Sequence, residues 1–264
     1  MQRLVPTVWC ADNAADLADF YASALPDARR GETFTLDGTA VSCDVEVAGF
    51  TISFLNGGSE RDITPSISFF LNFARDELEL LDATFERLAA GGAVLMPLGQ
   101  YDFSPRFAWV ADRHGVNWQL TVADRDERVT PCLLFAGEQY GNARAATDLY
   151  VSTLPDSRVV LQPDAGDIHY SEVEILGQLC VIQESDPHTF SFTEGVSLLA
   201  LASDQGEIGT WWEALAAQPG RCGWLTDPFG LSWQIAPANF RELLSRPGAG
   251  EKLAGMGKLI VAEF

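Results

Sequence analysis

Residues 112–120 read DRHGVNWQL, and residues 227–235 read DPFGLSWQI. Each starts with an aspartate three residues ahead of a glycine, a turn signal, and runs into an alternating strand. Upstream, ADFYASALPDARR (18–30) returns as TDLYVSTLPDSRV (147–159). The matched pieces keep their order, so the chain carries one domain twice. The break falls in the charged stretch ADRDERV (123–129). This gives a first domain over 1–123, a second over 129–239, and an unmatched C-terminal tail over 240–264.

Each copy is itself double. LVPTVWC (4–10) is apolar, and Asp12 or Asn13 can cap a helix whose buried stripe is Leu17, Phe20, Tyr21, Ala24 and Leu25. Three strands are expected near 30–36, 41–48 and 50–56, ending at Asn56-Gly57-Gly58. The pattern restarts with ISFFLNF (67–73), a helix carrying Leu78, Leu81, Phe85 and Leu88, and strands near 93–98, 106–111 and 116–122. Four strand-helix-strand-strand-strand units and about sixteen strands follow. The class is α+β, with helices on one face of curved, mixed, mostly antiparallel sheets. A hairpin extension over 96–105 has no counterpart after the second copy's second helix, so the two copies cannot have the same pocket walls.

The formal charge is −20, from 17 basic and 37 acidic residues. It is split evenly between the halves, as a solvated surface rather than a tail. Nucleic acid and anionic membrane are expected to be repelled. The five cysteines (Cys10, Cys43, Cys132, Cys180, Cys222) form no CxxC pair and read as reduced, buried thiols. No charged-then-apolar leader precedes Val5, and no apolar run nears the ~20 residues of a membrane span. The expected location is cytoplasmic.

The chain resembles the PhnB-like branch of the vicinal-oxygen-chelate superfamily, which includes glyoxalase I, bleomycin-resistance proteins and extradiol dioxygenases. In the first half the resemblance rests on Pro6-Thr7-Val8-Trp9, Phe20-Tyr21, Asn56-Gly57-Gly58, Met96-Pro97-Leu98-Gly99 and Gly115-Val116-Asn117-Trp118-Gln119. In the second half it rests on Thr130-Pro131, Leu149-Tyr150, the run Trp224–Gln234 and the tail MGKLIVAEF (256–264). It implies four βαβββ modules in two tandem glyoxalase-like domains. It also implies a divalent metal held by His, Gln or Glu, one ligand from each of four strands. Those positions fall on Pro6, Ser53, Ser66 and Gln119 in the first copy, and on Pro131, Val181, Gly195 and Gln234 in the second. Proline, valine and glycine side chains offer no donor. No metal and no other cofactor is therefore expected. His114, His169 and His188 read as turn or surface residues, and no Ser or Cys has an obvious His partner. GAGEKLAG (248–255) follows no strand and is not a nucleotide loop, so the methyltransferase label attached to such relatives is discounted.

Strand alternation turns Ser53, Ser66, Ser68, Asn117 and Gln119 toward a cavity in the first copy, with Ser197, Ser232 and Gln234 at matched places in the second. These eight are the candidate ligand-binding residues; no catalytic residue is legible. Trp118 and Trp233 belong in the core, while Trp109 and Trp224 either pack or line a pocket. Glu46 and Glu174 read as solvated or ion-paired. Ser66, Ser68 and Asn72 make one cavity polar, whereas Gly195, Ser197 and Leu201 make its counterpart apolar. The expected function is metal-independent binding of a small molecule, as in the drug-binding relatives. A metal-dependent lyase, isomerase or dioxygenase is the alternative. The two copies are expected to pack about a pseudo-twofold axis, as a monomer or a homodimer, with the tail over one cavity mouth.

Overall fold

The computed structural model describes residues 2–59, 61–163, 169–186 and 188–264. The first unit is β1 (Leu4–Cys10), α1 (Ala14–Ala24), β2 (Ala28–Leu36), β3 (Thr39–Val47) and β4 (Phe50–Asn56). The second is β5 (Ile67–Phe73), α2 (Leu78–Ala89), β6 (Ala93–Tyr101), β7 (Ser104–Ala111) and β8 (Asn117–Val122). The third is β9 (Val129–Ala136), α3 (Ala143–Thr153), β10 (Arg158–Leu161), β11 (Tyr170–Ile175) and β12 (Gln178–Ser185). The fourth is β13 (Val196–Ala202), α4 (Gln205–Leu215), β14 (Gln218–Pro219), β15 (Trp224–Thr226) and β16 (Ser232–Pro237). The tail adds α5 (Phe240–Leu244) and α6 (Ala249–Gly255).

These strands make two eight-stranded sheets. Sheet A runs β14-β15-β16-β13-β1-β4-β3-β2, and sheet B runs β10-β11-β12-β9-β5-β8-β7-β6. Within a unit the first and last strands pair in parallel, which leaves the first strand one open edge. That edge pairs antiparallel with the first strand of another unit: β1 with β13, and β5 with β9. Each sheet therefore takes one unit from each copy. This corrects the sequence reading, which assembled each cavity from the strands of one copy. Alternation tells which face a residue takes but not which strand lies beside it.

The units of one copy meet instead through their helix-covered faces. Tyr21 of α1 donates to Asp112 Oδ2 at 2.7 Å, and Trp118 Nε1 donates to the same oxygen at 2.8 Å. The backbone N–H groups of His114 and Val116 donate to Asp112 Oδ1. The second copy repeats the arrangement: Tyr150 and Trp233 donate to Asp227 Oδ2 at 2.6 and 3.0 Å, and Phe229 and Leu231 donate to Oδ1. Gly115 and Gly230 close the two turns at positive φ, which only glycine adopts without strain. The residues repeated most faithfully in the sequence thus bind the units together. Around them one continuous core joins both sheets and the four long helices, with Trp118, Trp211 and Trp233 buried at its centre.

Candidate functional site

The faces turned away from this core form two cups, and their contents differ. On sheet A the floor carries Thr7, Asp44, Ser53, Ser197 and Gln234. Thr7 is in register with both Ser53 and Ser197, and Ser53 with Asp44. The tail packs over this floor, beside a shallower hollow at Trp9, Trp224 and Ser232. Leu243, Leu244, Ala249, Met256, Leu259 and Phe264 pack on Phe34, Leu199, Leu201 and Ala236. Arg241 donates to Asp44 Oδ1 at 2.9 Å and to Glu32 at 2.7 Å, while Ser53 donates to Asp44 at 2.8 Å. Burial raises the Asp44 carboxyl above the usual range, and Arg241 opposes it.

Sheet B keeps an open cavity of about 470 Å³. Its walls are Phe70, Met96, Phe103, Phe107, Trp109 and Tyr170, and its polar groups are Asn72, Gln119, Thr121, Arg125 and Gln183. The β6–β7 hairpin supplies one wall, and this is the extension that the second copy lacks. Tyr101 stacks on Phe103 at 5.5 Å, and Phe103 meets Phe107 edge-on at 5.0 Å. Arg106 of β7 pairs in bidentate fashion with Asp82 of α2, which ties the hairpin to the helix, and Tyr101 donates to the Pro97 carbonyl within β6. At the rim Arg125 donates to Glu172, which Tyr170 also reaches, so the charge there is matched.

The eight predicted residues divide between the two cups. Gln119 alone lines the sheet-B cavity, and its amide donates to Ser68 Oγ at 2.9 Å just beneath. Ser66 and Asn117 do not line it, and both are almost fully buried. Ser53, Ser197 and Gln234 belong to sheet A, where Ser53 bonds Asp44, Ser197 bonds the Thr7 carbonyl, and Gln234 donates to the Cys222 carbonyl at 3.5 Å. Ser232 sits apart, beside Trp9 and Trp224. Glu46 and Glu174 are ion-paired with Arg29 and Arg158.

The first-strand positions were placed one residue off. Leu4, Val8 and Cys10 pack in the helix-side core, so Pro6 shares their face and Thr7 turns to the floor. Likewise Val129 and Leu133 take Pro131 with them to the core side, and Cys132 faces Ser68 and Val181. The floors still do not fit a hard or borderline divalent ion. Among the described residues no three His, Cys, Asp or Glu side chains converge. The Cys132 thiol is pushed up to about 12 by burial and is a proton-bearing group at neutral pH. Asp44 and Glu172 are each already held by an arginine.

The sequence model of the 3-demethylubiquinone-9 3-methyltransferase family matches the chain twice, over residues 2–121 and 127–236. The chain belongs to this family. The PhnB protein of Bacillus cereus is 28% identical over 46% of this chain and 100% of its own, with a TM-score of 0.42. Glyoxalase I of Zea mays is 13% identical over 92% of this chain and 95% of its own, with a TM-score of 0.59, which supports the fold. No curated protein matches.

In this PhnB-like chain GAGEKLAG forms α6 with Gly248 before it, a tail helix seated on sheet A. Two Ser–His pairs escaped the sequence reading, because each spans a turn or strand end. Ser171 lies 3.1 Å from His169 Nε2 but is fully buried. Ser185 Oγ lies 2.6 Å from His188 Nδ1, and no carboxylate bonds that ring among the described residues. Arg125, Tyr170 and Gln183 were missed as cavity residues. Tyr170 and Gln183 come from the third unit and Arg125 from the stretch between the copies, so they join the cavity only once the third unit is known to complete sheet B. No helix among the described residues is long and apolar enough to cross a membrane.

Proposed function

We propose that the chain is a metal-independent small-molecule-binding protein that takes its ligand in the sheet-B cup. It would be organised as two domains (1–123 and 129–239) with a tail (240–264) that packs over the other cup's floor. The carrying observation is the contrast of contents: one cup's floor is covered by the chain's own tail, and the other holds an aromatic cavity of ligand size. The metal-dependent alternative needs a converging set of His or carboxylate donors, and among the described residues no such group of three forms. A bulky cation is not favoured either, because the charged side chain lining this cavity is Arg125. Each cup draws both halves from one chain, which supports a monomer.

The probe for a test is N-phenyl-1-naphthylamine, a neutral aromatic whose fluorescence rises in apolar sites. One saturable site per chain is expected, unchanged by EDTA. Gln183→Trp fills the cavity from a half-buried strand position and should abolish binding, while Gln234→Leu on sheet A should leave it intact. Binding that ignores Gln183→Trp would sink the placement. Binding lost on chelation and restored by a divalent metal would favour the enzyme reading.

A further inference from the structure

Among the described residues, three buried side-chain polar atoms have no hydrogen-bond partner: Ser66 Oγ, Trp109 Nε1 and Asn117 Oδ1. All three lie on or beside strands of sheet B, and of the three Trp109 lines the cavity. β5 runs parallel to β8 with Phe69 beside Trp118, which sets Ser68 beside Asn117. Across β7 and β8, Trp109 faces Gln119 and Ala111 faces Asn117. Gln119, which lines the cavity, uses its amide N–H on Ser68 and also meets the Cys132 thiol. The sheet-A groups at corresponding depth are satisfied: Ser53 by Asp44, Asp44 by Arg241, and Ser197 by the Thr7 carbonyl. An unpaired buried polar group costs about 1–3 kcal/mol, so three on one sheet call for a partner from outside the chain.

We propose that the cavity takes a neutral, planar aromatic molecule whose hydroxyl or carboxamide group reaches this end of the floor. The proposal rests on the small-molecule reading above and narrows its ligand class. The Trp109 N–H donates, the Asn117 and Gln119 carbonyls accept, and the Ser66 hydroxyl does either. A group that both donates and accepts satisfies this set; a hydrocarbon or an ether does not. The group is neutral because the floor holds no counter-charge: Arg125 is already paired with Glu172. An ion there would be buried unpaired, at a cost of several kcal/mol. The body is planar and aromatic because Phe103, Phe107 and Trp109 present ring faces and edges along one wall. Trp109 joins both features: it lines the cavity, is only 6% exposed, and keeps its N–H unpaired.

Four probes of one shape test this: naphthalene-2-carboxamide, 2-methylnaphthalene, 2-naphthoate and 2-naphthylmethylammonium. Affinities come from calorimetry, and the Trp109 indole N–H is followed by ¹⁵N NMR, assigned with Trp109→Phe. The carboxamide should bind at least about tenfold tighter than the other three and move the Trp109 N–H resonance downfield. Trp109→Phe and Ser66→Ala should each cut that advantage severalfold and leave 2-methylnaphthalene within about twofold. Equal binding of all four would mean that trapped water serves the floor; the ligand class would then fall while small-molecule binding stood. Tightest binding by either ion would overturn neutrality. If N-phenyl-1-naphthylamine binds and none of the four does, this proposal alone fails. If it also fails to bind, both fail.

Discussion

Sheet A and sheet B have the same strand order, each built from two units, one from each copy, yet their cups hold different things. On sheet A the tail brings an arginine to the buried Asp44 carboxylate and an apolar strip to the floor beside it. On sheet B the long β6–β7 hairpin raises an aromatic wall, and the polar floor beneath it is left partly unpaired. What the two share lies on the opposite face, in the Tyr–Asp–Trp ties that join the units of each copy. Repetition in this molecule marks what the fold needs. Departure from repetition marks where the two cups differ.

The largest expected effect tests the shared part. Asp112→Ala and Asp227→Ala each strand a tyrosine O–H, an indole N–H and two backbone N–H groups in the core. Each should destabilise the chain by at least about 3 kcal/mol in urea unfolding, and by similar amounts. A large difference between them would break the claim that the ties are equivalent.

The next concerns the tail-covered cup. Arg241→Ala leaves Asp44 buried without its cation and should lower stability by about 2 kcal/mol, discounted for the partial exposure of the arginine. The pair Arg241→Met with Asp44→Leu should recover most of that loss. If the double variant is no better than Arg241→Ala, the tail is not held by this charge pair.

A finer test sets serine against serine. Ser53→Ala removes a satisfied hydroxyl from sheet A and should cost about 1 kcal/mol. Ser66→Ala removes an orphan from sheet B and, in the ligand-free chain, should raise stability by a similar amount. Opposite signs in thermal unfolding sharpen the contrast; equal losses erase it.

The smallest effect is a pH slope at the link between copies. Arg128 grips Glu77 with two hydrogen bonds of 2.8 Å and holds its carboxyl down at about 2, against an ordinary 4.5. A depressed acid contributes stability above its unfolded value and loses it as pH falls toward the folded one. Stability should therefore decline between about pH 4.5 and pH 2, and Glu77→Gln should flatten that part of the curve. An unchanged slope in Glu77→Gln would assign the acid sensitivity elsewhere.

The repeat, the unit boundaries, the α+β class and the buried faces were legible in the sequence. They depend on local signals: Asp-x-x-Gly turns, helical spacing such as Leu17–Tyr21–Ala24, and alternation such as Val41–Cys43–Val45. The missing hairpin was legible too, as a difference in length between the copies. Gln119 and Pro6 were both carried over from the family's ligand positions; alternation within β8 supported Gln119, whereas the apolar first strand offered no such check on Pro6. The exchange of units between sheets, the Arg241–Asp44 pairing across the chain, and the gathering of Tyr170, Arg125 and Gln183 beside Gln119 were decided by tertiary structure alone. The physical reason is that periodicity fixes the face on which a side chain stands, while the neighbour it meets depends on which open strand edges find each other and what the tail covers.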